Sequence, residues 1–169
     1  FNGAIPLIAI KMSGYKIGAE TALTFVKVLD ENRLGLVDDD EPVAEPTDRT
    51  FWQANRGSKE SLEATDRLLK LVNQAEPKAS LKYNKHYIGL EVDGAPFNFV
   101  WFQPRKAHVI MTIKLPQSPE VDRELDDAGL VRLAYGSRWG QYRIRIDTEL
   151  NDKQKATLLP IIRAARSNF

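Results

Sequence analysis

Residues 81–116 read LKYNKHYIGLEVDGAPFNFVWFQPRKAHVIMTIKLP, and this stretch decides the fold. A first strand is predicted from Lys82 to Val92. It is ended by Asp93-Gly94, a dipeptide that marks a tight hairpin when it lies between apolar runs. Pro96 has no N–H to give to a ladder, which limits where pairing resumes. Phe97–Gln103 is the second strand, with Phe97, Phe99 and Trp101 on one face and Asn98, Val100 and Phe102 on the other. Both faces are apolar, which places this strand in the middle of a sheet, with Trp101 as core. Pro104-Arg105-Lys106 forms the next turn. In the third strand, His108–Leu115, Val109, Met111, Ile113 and Leu115 oppose His108, Ile110, Thr112 and Lys114. Such alternation belongs to an antiparallel sheet with one buried face.

Working outward, Ser58–Gln74 is the clearest helix. Ser58 is an N-cap, Leu62, Thr65, Leu69 and Val72 recur at helical spacing, and Glu76-Pro77 stops it. A short helix starts at Ser118-Pro119 and ends near Asp127, with Gly129 beyond it. Leu130–Tyr135 then leads into the turn Gly136–Gly140 around Trp139. Tyr142–Asp147 is a fourth strand: Tyr142, Ile144 and Ile146 face the core, and Gln141, Arg143 and Arg145 face away. The last helix opens at Asn151, with Gln154 placed for a capping box. Pro160 inside it should remove one hydrogen bond and bend it.

Upstream, Ile5–Leu29 reads as a two-stranded unit built from the runs Pro6–Met12 and Leu23–Leu29, with Gly14 and Gly18 in the connection. A lone hairpin is marginal in water, so residues 1–37 are expected to lean on other sequence or on a second copy of the chain. Residues 38–50 hold Asp38, Asp39, Asp40, Glu41, Glu45 and Asp48 with two prolines, and no Lys or Arg falls among those six acids, the composition of an extended acidic linker. The main domain is read as residues 51–169.

The 169 residues include no cysteine, which excludes disulfides, thiolate metal sites and a cysteine nucleophile and fits a reducing cytoplasm. No apolar run reaches the ~18 residues of a membrane span, and no signal peptide is visible. The chain begins at Phe1 without methionine and is expected to be the C-terminal piece of a longer protein. Net charge is +1, but with the six linker acids set aside the rest carries 24 basic against 17 acidic residues. A basic body suits an anionic partner.

No complete catalytic or cofactor motif is present. His86 and His108 are the two histidines, and neither has a carboxylate at metal-ligand spacing. His86 is read as a sheet residue and His108 as an exposed strand end. Asp122, Glu124, Asp126 and Asp127 are read as a solvated face of the short helix. Gly136–Gly140 lacks the Gly-Lys-Ser/Thr ending of a phosphate loop. The remaining constellation is basic: Arg105, Lys106, Lys114, Arg138, Arg143 and Arg145 are candidate phosphate contacts on DNA or RNA. Arg143 and Arg145 project from one strand face with no acid between them.

Several pieces of residues 51–169 together resemble a known family: the Ser58–Gln74 helix, Leu81-Lys82-Tyr83, Phe102-Gln103-Pro104-Arg105-Lys106, Ile113-Lys114-Leu115-Pro116 and Arg138-Trp139-Gly140, followed by the Tyr142–Ile146 strand and a Leu-rich helix. They resemble the small uncharacterised domain at the C-terminus of bacterial predicted transport proteins and restriction-type nucleases. The helix–sheet–helix order is also similar to frataxin-like double-wing domains. The resemblance carries over no catalytic residues. The first thirty-odd residues resemble the tail of a restriction-endonuclease-like domain, but Ala9 stands where the acid of a Glu-x-Lys strand would precede Lys11. The catalytic half of a nuclease parent is therefore expected to lie outside this chain.

The sequence thus predicts an α+β domain, an antiparallel sheet with helices on one side, with no cofactor and no metal. Its expected role is a non-catalytic accessory module of a nuclease or defence protein that contacts nucleic acid. The alternative is a protein-interaction or dimerisation module working through residues 1–37, and an enzyme of its own comes last.

Overall fold

The computed structural model describes residues 9–17, 20–29, 47–147 and 149–169, the first two segments as backbone. The chain divides into two compact units, Phe1–Ala44 and Glu45–Phe169. In the first, β1 (Ala9–Ile17) and β2 (Glu20–Leu29) pair antiparallel from Ala9↔Leu29 to Ile17↔Glu20. Gly14, expected in the connection, is instead paired with Leu23 inside the ladder. The acidic stretch is outside the described residues as far as Pro46.

The second unit opens on a helix that the sequence reading did not anticipate. In α1 (Arg49–Asn55) the Asp48 carboxylate accepts from Phe51 N–H at 2.8 Å, an N-cap. Trp52 is buried at 1% exposure, and its indole donates to Asn84 O at 3.0 Å. Helix α2 (Lys59–Val72) starts at the expected cap: the hydroxyls of Ser58 and Ser61 each accept from the other residue's N–H. Its buried stripe is Leu62, Thr65, Leu68, Leu71 and Val72.

The strand predicted from Lys82 to Val92 is two strands, β3 (Ser80–Tyr83) and β4 (Ile88–Val92). They pair antiparallel around a turn in which Asn84 N–H donates to Tyr87 O at 3.0 Å and the Asn84 amide donates to Lys82 O. His86 therefore sits in a turn rather than in the sheet. Asp93-Gly94 does make the expected tight turn. Both residues have positive φ, 50° and 80°, and β5 (Ala95–Pro96) returns along β4. The next strand, β6, is Val100–Pro104, shorter than read. Phe99, read as sharing one face with Trp101, is fully buried in the core, whereas Trp101 is only half-buried. Strand β7 (Val109–Lys114) follows, then α3 (Pro119–Asp127) behind its Ser118 cap, β8 (Val131–Arg132) and β9 (Gln141–Ile146). Helix α4 (Asp152–Ser167) has the expected Asn151–Gln154 capping box and continues through Pro160.

The seven-stranded sheet has the order β3-β4-β6-β7-β9-β8, with β5 beside β4, and every pair is antiparallel. The fold is α+β. Register aligns the apolar residues in rows: Val100–Ile113–Tyr142, Phe102–Met111–Ile144 and Pro104–Val109–Ile146. Helices α2 and α4 lie against these central strands, α1 packs on α2, and α3 packs on α4 and β8. One core joins the rows to Leu62, Leu68, Leu125, Leu158 and Ile162. Burying one such side chain contributes about 1.5–3 kcal/mol. An exposed ion pair contributes roughly 0–1 kcal/mol. The rows therefore hold the fold, and the surface charges are left for other work.

Candidate nucleic-acid interface

The second sheet face carries the other half of each strand's alternation. Its rows are Trp101–Thr112–Arg143 and Gln103–Ile110–Arg145, with Lys114 opposite Gln141. Lys114, Arg143 and Arg145 thus lie on neighbouring strands of one face. The exposed residues Arg105 and Lys106 form the β6–β7 turn, closed by Arg105 N–H to His108 O at 2.7 Å. Arg138 is exposed in the turn before β9. The six candidate cations therefore follow the β7–β9 pair from one end to the other. At about 3.4 Å per residue the stripe from Val109 to Lys114 is roughly 17 Å long.

Two charges on this face are engaged. Arg145 Nε lies 2.8 Å from Asp147, an acid just past the end of β9, so this arginine is not free of acidic neighbours. Both side chains are half exposed, and salt screens such a pair. Lys82 lies 3.8 Å from Glu91 at the far edge of the sheet. His108 is half-buried. Burial first, then the Arg145 charge, lowers its pKa from the ordinary histidine value, while Asp147 works the other way.

Tyr142 is core as expected. Its hydroxyl accepts from Ser118 N–H at 2.8 Å and donates to Ser118 O at 3.2 Å, and burial raises its pKa. Trp101 is not core. It is half-buried on the open face, edge-on to Tyr87 with ring centroids 6.4 Å apart. From Val100 to Gln103 the alternation was read correctly, although it fails at Phe99, and alternation separates two faces without saying which one the helices cover.

Trp101 lines an open groove of about 570 Å³ together with Tyr87, Asn98, Lys114, Trp139, Gln141 and Phe169. Sequence reasoning missed this groove because its walls come from segments far apart in the chain. Lys114 Nζ sits 4.8 Å from the Phe169 ring centroid, and the Arg138 guanidinium sits 5.1 Å from that of Trp139. Both cations thus stand over aromatic faces.

The acids of α3 have a structural role. Arg132 reaches Asp122 at 2.9 Å and Asp126 at 2.6 Å, tying β8 to the helix and holding the Asp126 carboxyl below its usual pKa. Among the described residues no group of three or more His, Asp or Glu could hold a metal ion, and no helix is long and apolar enough to cross a membrane.

A family model described as a domain of unknown function, DUF5655, matches residues 52–166. The chain belongs to this family. No curated protein and no solved structure matches it. The matched span runs from the buried Trp52 of α1 to Arg166 of α4. The DUF5655 domain therefore contains the helix layer, the sheet and nearly all of the open face. Arg166 itself pairs with the buried Glu76 at 3.0 Å, fastening the end of α4 to the segment that follows α2.

Proposed function

We propose that the DUF5655 domain is a non-catalytic module that binds nucleic acid through its open sheet face. The observation that supports this reading is the placement of Lys114, Arg143 and Arg145 on adjacent strands of the face that the helices leave bare, with Arg105 and Lys106 at one end and Arg138 at the other. Cations at these positions neutralise phosphates, which gives affinity with little sequence preference. Service as an accessory to a nuclease or defence protein rests on the sequence resemblance.

The test is fluorescence anisotropy with labelled DNA and RNA over a salt series. Affinity should fall with salt at a log–log slope of roughly −0.9 per duplex phosphate contacted and about −0.7 for a single strand. Replacing Arg143 and Arg145 together by Ala should shrink that slope and weaken all sequences alike. Absence of binding at low salt would overturn the proposal.

A second reading has one observation in its favour. The β1–β2 ladder has two strands, and among the described residues no third strand pairs with it. Unpaired strand edges recruit another chain, and association through residues 1–37 would satisfy them. Sedimentation with and without residues 1–37 tests it, and identical monomeric behaviour removes it.

A further inference from the structure

The groove at the Lys114 end of the open face has a composition that phosphate binding does not explain. Three large hydrophobic side chains stand exposed among the described residues, Val131, Trp139 and Phe169, and two of the three line this one groove. Trp139 is 64% exposed. Clustered apolar exposure marks a binding surface rather than ordinary scatter. Tyr87 and Trp101 supply two more rings on the same wall system. The volume falls within the roughly 300–1,000 Å³ of small-ligand sites.

Two amides add direction. Asn98 Oδ1 is committed to Leu90 N–H at 2.8 Å, which leaves its Nδ2 to donate. The Gln141 amide has no hydrogen-bond partner among the described residues, so it can both donate and accept. The charges decide between ligand classes. An aromatic cage could take a quaternary ammonium, but here Lys114 lines the groove, Arg138 stacks on its Trp139 wall, and no lining residue is acidic. A cation would be repelled. An anion with a flat aromatic body would be held.

We infer that this groove takes the unpaired bases of a single-stranded polynucleotide, with Trp101 and Trp139 as stacking surfaces and the amides of Asn98 and Gln141 meeting base edges. The inference rests on the nucleic-acid reading above and narrows it. Duplex bases hide their faces against one another, whereas unpaired bases offer them to aromatic rings. The backbone of such a strand would continue from Lys114 past Arg143 towards Arg145, along the β7–β9 pair.

The full chain is titrated with short oligo-dT, oligo-U and a blunt duplex of the same length at low salt. Binding is read by anisotropy and by quenching of tryptophan fluorescence, with buried Trp52 as the unquenched background. Trp139→Ala, at an exposed position, should leave the circular dichroism unchanged and weaken single strands roughly 5- to 150-fold. It should change duplex binding by less than about twofold. Trp101→Ala should act similarly, and Trp101→Phe should recover part of the loss because it keeps a stacking ring. Binding of either oligo-dT or oligo-U with this pattern supports the inference. Three results overturn it. If single strands and duplex bind equally and ignore both tryptophans, the stacking groove falls while the phosphate-binding face stands. If nothing binds at low salt, both readings fall. If the tryptophan variants change sedimentation instead of nucleic-acid binding, a second copy of the chain occupies the groove.

Discussion

Gly89→Ala should destabilise the DUF5655 domain through a single hydrogen bond. The β4–β6 ladder is confined to Ile88↔Phe102. Beyond that point Asn98 stands in for the missing strand, its Oδ1 accepting from Leu90 N–H at 2.8 Å. A Cβ on Gly89 would lie 2.3 Å from that Oδ1 and 3.1 Å from a ring carbon of Tyr87. The first distance is far below van der Waals contact, so Asn98 must leave. Leu90 is fully buried, and its N–H would lose its acceptor. Orphaning a buried donor costs about 1–3 kcal/mol. At roughly 4 °C per kcal/mol for a domain of this size, the melting temperature should fall by roughly 4–12 °C. Urea unfolding followed by Trp52 fluorescence measures the same loss at constant temperature. Asn98→Ala removes the same acceptor from the other side and should cost a similar amount. In the double variant the Asn98 clash is gone and only the Tyr87 ring, 3.1 Å from the new methyl, must give by a few tenths of an ångström, so Gly89→Ala should add little to Asn98→Ala. Costs that simply add, within about 0.5 kcal/mol, would show that the two residues act independently and would refute the reasoning.

Two further outcomes follow from the same geometry. Tyr142→Phe removes both hydrogen bonds to Ser118, leaves the cap of α3 unsupported and should cost about 1–3 kcal/mol by thermal or urea unfolding. His108 has a folded pKa below its unfolded value, so the unfolded chain binds more protons in the interval between the two. Stability should therefore be complete above the ordinary histidine pKa of about 6.5 and decline as pH falls below it. His108→Gln should flatten that decline in a urea–pH series. Of the charged groups near His108, Arg145 and Arg105 act in the same direction as burial and Asp147 against it.

The strands β7 and β9 were legible because each has one face in the core, so Val109, Met111, Ile113 and Tyr142, Ile144, Ile146 alternate with partners that are polar except for Ile110. The helix starts were legible because Ser58, Ser118 and Asn151 cap them by short-range hydrogen bonds that depend on a few neighbouring residues. The β3–β4 turn was not, since Asn84-Lys85-His86 contains neither Gly nor Pro and is closed by backbone and Asn84 contacts. Helix α1 is too short for a periodic stripe and shows its core contact in one residue, Trp52. The cations of the candidate site could be named from sequence because charge type is local. The groove could not, because Tyr87, Trp101, Trp139 and Phe169 meet only after the sheet has assembled. Trp101 looked like core because an apolar residue on a bare sheet face has the same sequence signature as one beneath a helix.

Strand order has a consequence for how the chain is made. Strands β3, β4, β6 and β7 are joined in sequence, each beside the one before it, and hairpins of this kind close in roughly 1–10 μs. The partner on the far side of β7 is β9, which begins at Gln141, and the cover completing the helix layer is α4, which ends at Ser167. A ribosome adding about 5–20 residues per second takes roughly 3–10 s to travel from Lys114 to Ser167. For that interval Met111 and Ile113 lie on a formed sheet whose β7 edge still lacks its β9 partner, with only α2 above them. A nascent chain stalled in this window presents a sticky strand edge beside an uncovered apolar row, and chaperone capture or co-aggregation should concentrate there.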